Sequence, residues 1–219
     1  MSTEFASAGL TAGQLNAIVK KLGGHEAALN FLRGVFPDLN LDWPQTYALL
    51  GLTTEYQEFL LTNPDALVPK PNHWVVPVIK GLTGQKLVAG YNQAQIGFWS
   101  WQNDLDASVP TNERHPDNGS YVISFLKTME ADPDLANKSA DDLAGIPQIT
   151  LIERLLLGLA HFLTTGHHLD QDNVTLCAGS RYSGGGVPDV SWGRASRLVC
   201  VSWQDPGGCH GHLRSRKAV

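Results

Sequence analysis

Residues 179–219 read GSRYSGGGVPDVSWGRASRLVCVSWQDPGGCHGHLRSRKAV. Two layers are interleaved in this stretch. Val187, Val190 and Trp192, then Leu198 or Val199, Val201 and Trp203, form an apolar layer. Val190 and Trp192 alternate with Asp189 and Ser191, and Val199, Val201 and Trp203 alternate with Cys200, Ser202 and Gln204. Period two is the signature of a strand with one buried and one exposed face. The pattern therefore predicts two short strands joined by a tight connection over Gly193–Ser196. Val190, Trp192, Val201 and Trp203 are expected underneath. Asp189, Ser191, Arg194, Cys200, Ser202 and His210 are expected exposed on one side, with the loop from Pro206 to Gly211 folded beside them.

The outward layer has no single chemistry. It holds Asp189, Ser191, Gly193, Arg194, Ala195, Ser196, Cys200, Ser202, Asp205, Gly207, Gly208, Cys209, His210, Gly211 and His212. From Ser180 to Arg216 there is no Lys, Glu or Met, whereas soluble surfaces use Lys and Glu freely. Adenine-rich Asn codons whose adenines are replaced reach most residue types but not Lys, Glu, Gln, Met or Trp. Gln204 is then framework or derives from another codon.

With these features the stretch resembles the variable region of diversity-generating retroelement proteins. The matching landmarks are Gly179-Ser180-Arg181, Trp192, Trp203, Arg197, Pro206 and the closing Leu213-Arg214-Ser215-Arg216-Lys217-Ala218-Val219. The resemblance implies a C-type lectin fold, shared with formylglycine-generating-enzyme-like domains, over roughly the last hundred residues. It implies that the outward residues above, together with Tyr182, are variable ligand-binding positions. It also implies a protein or other macromolecular ligand, with no cofactor, no metal and no catalytic residue. Arg197, Arg214 and Arg216 would brace irregular loops through carbonyl hydrogen bonds.

The rest of the chain fits an α+β protein. Of its 219 residues, 42% are hydrophobic and 17% charged, with a formal charge of −5. This is a globular composition, and its sign argues against a nucleic-acid partner. No stretch has the length and apolarity of a membrane span, and the first residues have no leader pattern. The expected location is cytoplasmic or virion-associated. Three cysteines, Cys177, Cys200 and Cys209, cannot all pair within one chain and are read as thiols.

Residues 1–35 read as a helical hairpin module, opened by capping-box spacing at Thr11–Gln14. Residues 36–117 read as a mixed segment packed on, or inserted into, a lectin-like domain at 118–219. Trp43, Tyr47, Leu49, Leu50, Tyr56, Phe59 and Leu60 are core candidates. Strands are expected at His73–Lys80, with Pro77 marking an edge, at Lys86–Ala89, Ile96–Trp101 and Ser120–Leu126. Asp104–Gly119 reads as a polar loop that caps its neighbours. Ser139–Asp142 reads as the cap of a short helix, and Thr150–Glu153 as a capping box for a long helix ending at Gly166.

Other chemistries are open at this level. Cys209-His210-Gly211-His212 tempts a zinc reading, but it lies in a Gly-rich loop, and adventitious affinity is the preferred account. Cys200 and Cys209 allow an oxidase of the formylglycine-generating type, given a depressed thiol pKa. Residues 11–34 allow a DNA-binding regulator, though the second helix offers few reading residues. His161, His167 and His168 end the long helix, where a cation suits the dipole.

Overall fold

Thr150 starts the element on which the fold is built. In the computed structural model its hydroxyl accepts the Glu153 N–H at 3.3 Å, and the Glu153 carboxylate accepts the Thr150 N–H at 2.8 Å. Helix Leu151–Thr165 follows and ends at Gly166, whose φ of 74° only glycine adopts freely. Every residue from Leu151 to His161 is buried, so this helix is packed on all sides.

The structure describes residues 40–219 and, before them, positions 11, 13, 16 and 19 alone. The helical hairpin expected over 11–34 therefore lies outside the described residues. The chain divides into two units, Met1–Asn40 and Leu41–Val219. The second is an α+β fold with helices α1 (Trp43–Leu49), α2 (Thr53–Thr62), α3 (Gly84–Gln93), α4 (Leu105–Ser108) and α5 (Leu151–Thr165). Its strands are β1 (His73–Val78), β2 (Gly97–Ser100), β3 (Thr111–Asn112), β4 (Tyr121–Leu126), β5 (Val174–Leu176), β6 (Ser180–Arg181), β7 (Val187–Gly193), β8 (Leu198–Gln204) and β9 (Leu213–Arg214). Five strands form one sheet in the order β2-β8-β7-β5-β9, while β1 pairs with β4 and β3 with β6.

The segment before residue 118 thus supplies β2 to the main sheet. Pro77 sits in a two-stranded ladder opposite Val122, where a missing N–H is tolerated. Lys86–Ala89 is not a strand but lies within α3. The Thr83 hydroxyl caps that helix by accepting the Lys86 N–H, and Leu87 and Tyr91, four apart, share its buried side. A four-residue apolar run cannot distinguish the two periods. A Cβ at Gly90 would lie 2.8 Å from a Leu50 methyl, and one at Gly158 would lie 2.8 Å from the Tyr91 hydroxyl. These two glycines let α3 approach α1 and α5.

Asp104–Gly119 contains α4, β3 and a 3-10 turn rather than one continuous loop. Its acids do cap: Asp104 accepts from Ala107, and Asp106 accepts from Gly84 and Gln85. Ser139 and Asp142 bond reciprocally, but they close a turn and not a helix.

A buried ion cluster ties the unit together. Asp170 is fully buried, as is Arg216, and Arg154 is 3% exposed. Arg154 donates to Asp170 Oδ2 at 2.8 Å and Arg216 to Asp170 Oδ1 at 2.9 Å. The Thr175 hydroxyl donates to the same carboxylate. Arg216 also donates to the carbonyls of Thr128 and Met129, and its guanidinium lies 5.9 Å from the Trp74 ring centroid. Burial alone would raise the Asp170 carboxyl, but Arg216 and then Arg154 outweigh it and hold it below the usual range.

His161 and His168 do not serve the helix dipole as cations. Burial, the larger cause in both, lowers each to about 4. His161 packs edge-on against Trp74, and His168 stacks between Phe162 and Trp192.

Asp170→Asn keeps the side-chain shape, and Asn tolerates the local φ of 54°. The change leaves two buried guanidiniums without a counter-charge. Chemical denaturation should show a loss of about 3–5 kcal/mol; a loss below about 1 kcal/mol would mean the cluster carries little of the fold.

Candidate recognition surface

β7 and β8 pair antiparallel through the four-residue turn Arg194–Arg197. Directly opposed residues of such a pair point to the same side. Asp189 faces Ser202 and Ser191 faces Cys200 on one side; Val190 faces Val201 and Trp192 faces Val199 on the other. The second set, with Phe98 of β2, belongs to the large core that contains α5. The alternation read in the sequence therefore places each set on a common face.

The polar face is not uniformly open. Residues 133–145 cross one half of it and seat Leu135, Ala140 and Leu143 against Leu176, Val187 and Leu213. Asp189, expected exposed, lies under this cover at 4% exposure, with the Gln204 amide donating to its carboxylate at 3.1 Å. Alternation specifies a residue's side of the sheet but not what lies over that side. Tyr182, taken as a binding position, is also buried: its ring joins the main core and its hydroxyl donates to the Ser202 carbonyl.

Trp203 departs in the opposite sense. It points to the core side but lies at the end of β8, and is 42% exposed. Trp192 is half-buried under His168, with ring centroids 3.5 Å apart. Arg197 braces no loop; it is exposed, and its φ of 56° closes the hairpin. Arg216 does reach two carbonyls, and Arg214 donates to the Ala131 carbonyl at 3.4 Å.

Ser191, Cys200 and Ser202 are half-buried, and Arg194, Ala195 and Ser196 are exposed at the hairpin tip beyond half-buried Gly193. The loop after β8 carries Asp205, Gly207, Cys209, His210, Gly211 and His212, all exposed, and half-buried Gly208. It starts at the far end of β8 but returns. Leu213 lies opposite Val174, one residue before Thr175, which faces Val190. Val174 donates to the His212 carbonyl at 2.9 Å, and Arg194 pairs with Asp172 at 2.7 Å. Hairpin tip and loop end thus both meet residues 172–174. Glu130 holds that segment, its carboxylate accepting the N–H groups of Gln171, Asp172 and Asn173.

Two further residues of this face escaped the sequence reading. β2 pairs parallel with β8, placing Trp99 beside Cys200, and Trp101 follows on the same side. They are 44% and 57% exposed. An aromatic in a strand pattern reads as core, and only the edge position of β2 exposes these.

Burial pushes the Cys200 thiol up, a Ser196 hydrogen bond offsetting part of it, and burial pushes Cys177 well up. Neither has the depressed pKa of a reactive thiol, and all three cysteines are free. Among the described residues no group of three His, Cys, Asp or Glu side chains is placed to hold a metal ion. No helix among them is long and apolar enough to cross a membrane. No protein family, curated protein or solved structure matches the chain.

Asp189 gives the face a pH signature. Burial raises its carboxyl to about 6, the Gln204 bond offsetting part of the rise. In the unfolded chain the group ionises lower, near the ordinary carboxylate value of 3.8. Stability from this group is thus fully present below about 3.8 and lost as pH rises through about 6. Asp189→Asn should stabilise the protein by about 1–3 kcal/mol at pH 7.5 and leave it unchanged near pH 3.5. Denaturation at the two pH values measures this, and equal effects at both would contradict it.

Proposed function

We propose that the chain is a ligand-binding protein of the diversity-generating retroelement class, displaying varied residues on a C-type lectin-like scaffold. One observation carries the reading. The residues of irregular chemistry in 180–219 gather on one sheet face and its rim, while the fold is held by residues outside that set. Arg154, Asp170 and Arg216 meet behind the face, on the side of α5. Ser191, Arg194, Ser196, Cys200, Ser202 and His210 contribute nothing to that cluster, so their exchange leaves the frame in place. Asp189 and Tyr182 belong to the frame rather than to the display.

The mechanism is recognition without catalysis. The ligand is a protein or other macromolecule that meets the tip, the open half of the strand face and the returning loop together. Shape and a few anchoring contacts decide affinity at such a surface. The raised Cys200 thiol argues against the oxidase reading.

Sequencing the DNA that flanks the coding region tests this. The reading predicts a near-copy of codons 180–219 that differs at adenines, beside a reverse-transcriptase gene. Flanking DNA with neither feature removes the diversification reading.

A further inference from the structure

Among the described residues β2 has a neighbour on one side only, since it ends the order β2-β8-β7-β5-β9. In a parallel pair, alternate residues turn both backbone groups toward the neighbour, and those between turn theirs away. The Trp101 N–H reaches the Val201 carbonyl at 2.9 Å. Trp99 and Trp101 therefore address β8, and Phe98 and Ser100 address the outer side. Among the described residues no strand, turn or loop pairs with their backbone groups there.

Exposed edges are usually blunted by Lys, Pro or a bulge. β2, Gly-Phe-Trp-Ser, has no Lys or Pro, and two exposed indoles flank it on the side of Ser191 and Cys200. We propose that β2 is a docking edge for an extended peptide segment of the partner. The segment adds as a sixth strand and lays alternate side chains on Trp99 and Trp101. This rests on the neighbouring face being a recognition surface.

Size and charge choose the occupant. A stable dimer needs about 800 Å² from each partner, more than four residues and two half-exposed indoles supply. An added strand draws its affinity from a few backbone bonds and alternate side-chain contacts. Residues 97–103, GFWSWQN, carry no charge. The segment that fits is uncharged and alternates apolar with polar residues.

The test is selection of phage-displayed random peptides on the full chain. Hydrogen exchange of the complexes and binding to variants follow. Enriched peptides should alternate as described and slow exchange at the Phe98 and Ser100 amides. They should bind Trp99→Ala or Trp101→Ala at least about tenfold more weakly, with melting temperatures unchanged. Undiminished binding, protection elsewhere, or no enriched peptide overturns the proposal; if a variant unfolds, exchange in the unmodified chain decides. Ser191→Arg and Cys200→Arg separate the two readings. Peptides sensitive only to the tryptophans leave the edge proposal standing and count against the recognition face, and peptides sensitive only to Ser191 and Cys200 do the reverse.

Discussion

One carboxylate, that of Asp170, decides how the distant parts of this chain meet. It receives Arg154 from α5 and Arg216 from the closing segment, while its own N–H donates to the Met129 carbonyl. Its carbonyl accepts the Trp192 N–H at 3.2 Å, so β7 is positioned by the same residue. Removing charges from water is costly, and such a cluster adds little net stability over a well-packed apolar one. Its geometry is directional: Arg154 and Arg216 bond different oxygens of the one carboxylate, which ties α5 and the closing segment to the same point.

That arrangement keeps the residues that hold the fold apart from the proposed display. Helix α5 and the ion cluster lie on one side of the five-stranded sheet. The other side is half-closed by residues 133–145 and half-open at Ser191, Cys200 and Ser202. Glu130 steadies residues 171–173, where Arg194 pairs with Asp172, and the end of the last loop bonds to the next residue, Val174. The open half carries small, uncharged residues, bordered by exposed Trp99 and Trp101 on one side and by the hairpin tip at another. Burial raises both thiols; a Ser196 hydrogen bond offsets part of the rise at Cys200, and Arg154 part of it at Cys177.

Much of the local structure was legible in the residues. The capping box at Thr150, the stop at Gly166 and the alternation in β7 and β8 each reflect forces acting over a few residues. What depended on distant chain was not. The burial of Asp189 comes from residues some fifty positions earlier that fold over it, and the exposure of Trp99 and Trp101 comes from the place of β2 in the strand order. Lys86–Ala89 became helix because Thr83 caps it and Gly90 lets it pack against Leu50. The pairing of Arg154, Asp170 and Arg216 joins residues up to 62 positions apart and has no local signature.

The central claim is that the display can change without cost to the frame. The most direct measurement randomises Ser191, Arg194, Ser196, Cys200, Ser202 and His210 together and sorts the library by resistance to proteolysis. A second library randomises Arg154, Asp170 and Arg216. The account predicts that most members of the first resist like the unmodified chain, each site contributing within about ±0.5 kcal/mol, and that most members of the second are cleaved. Equal loss of resistance in the two libraries would contradict it.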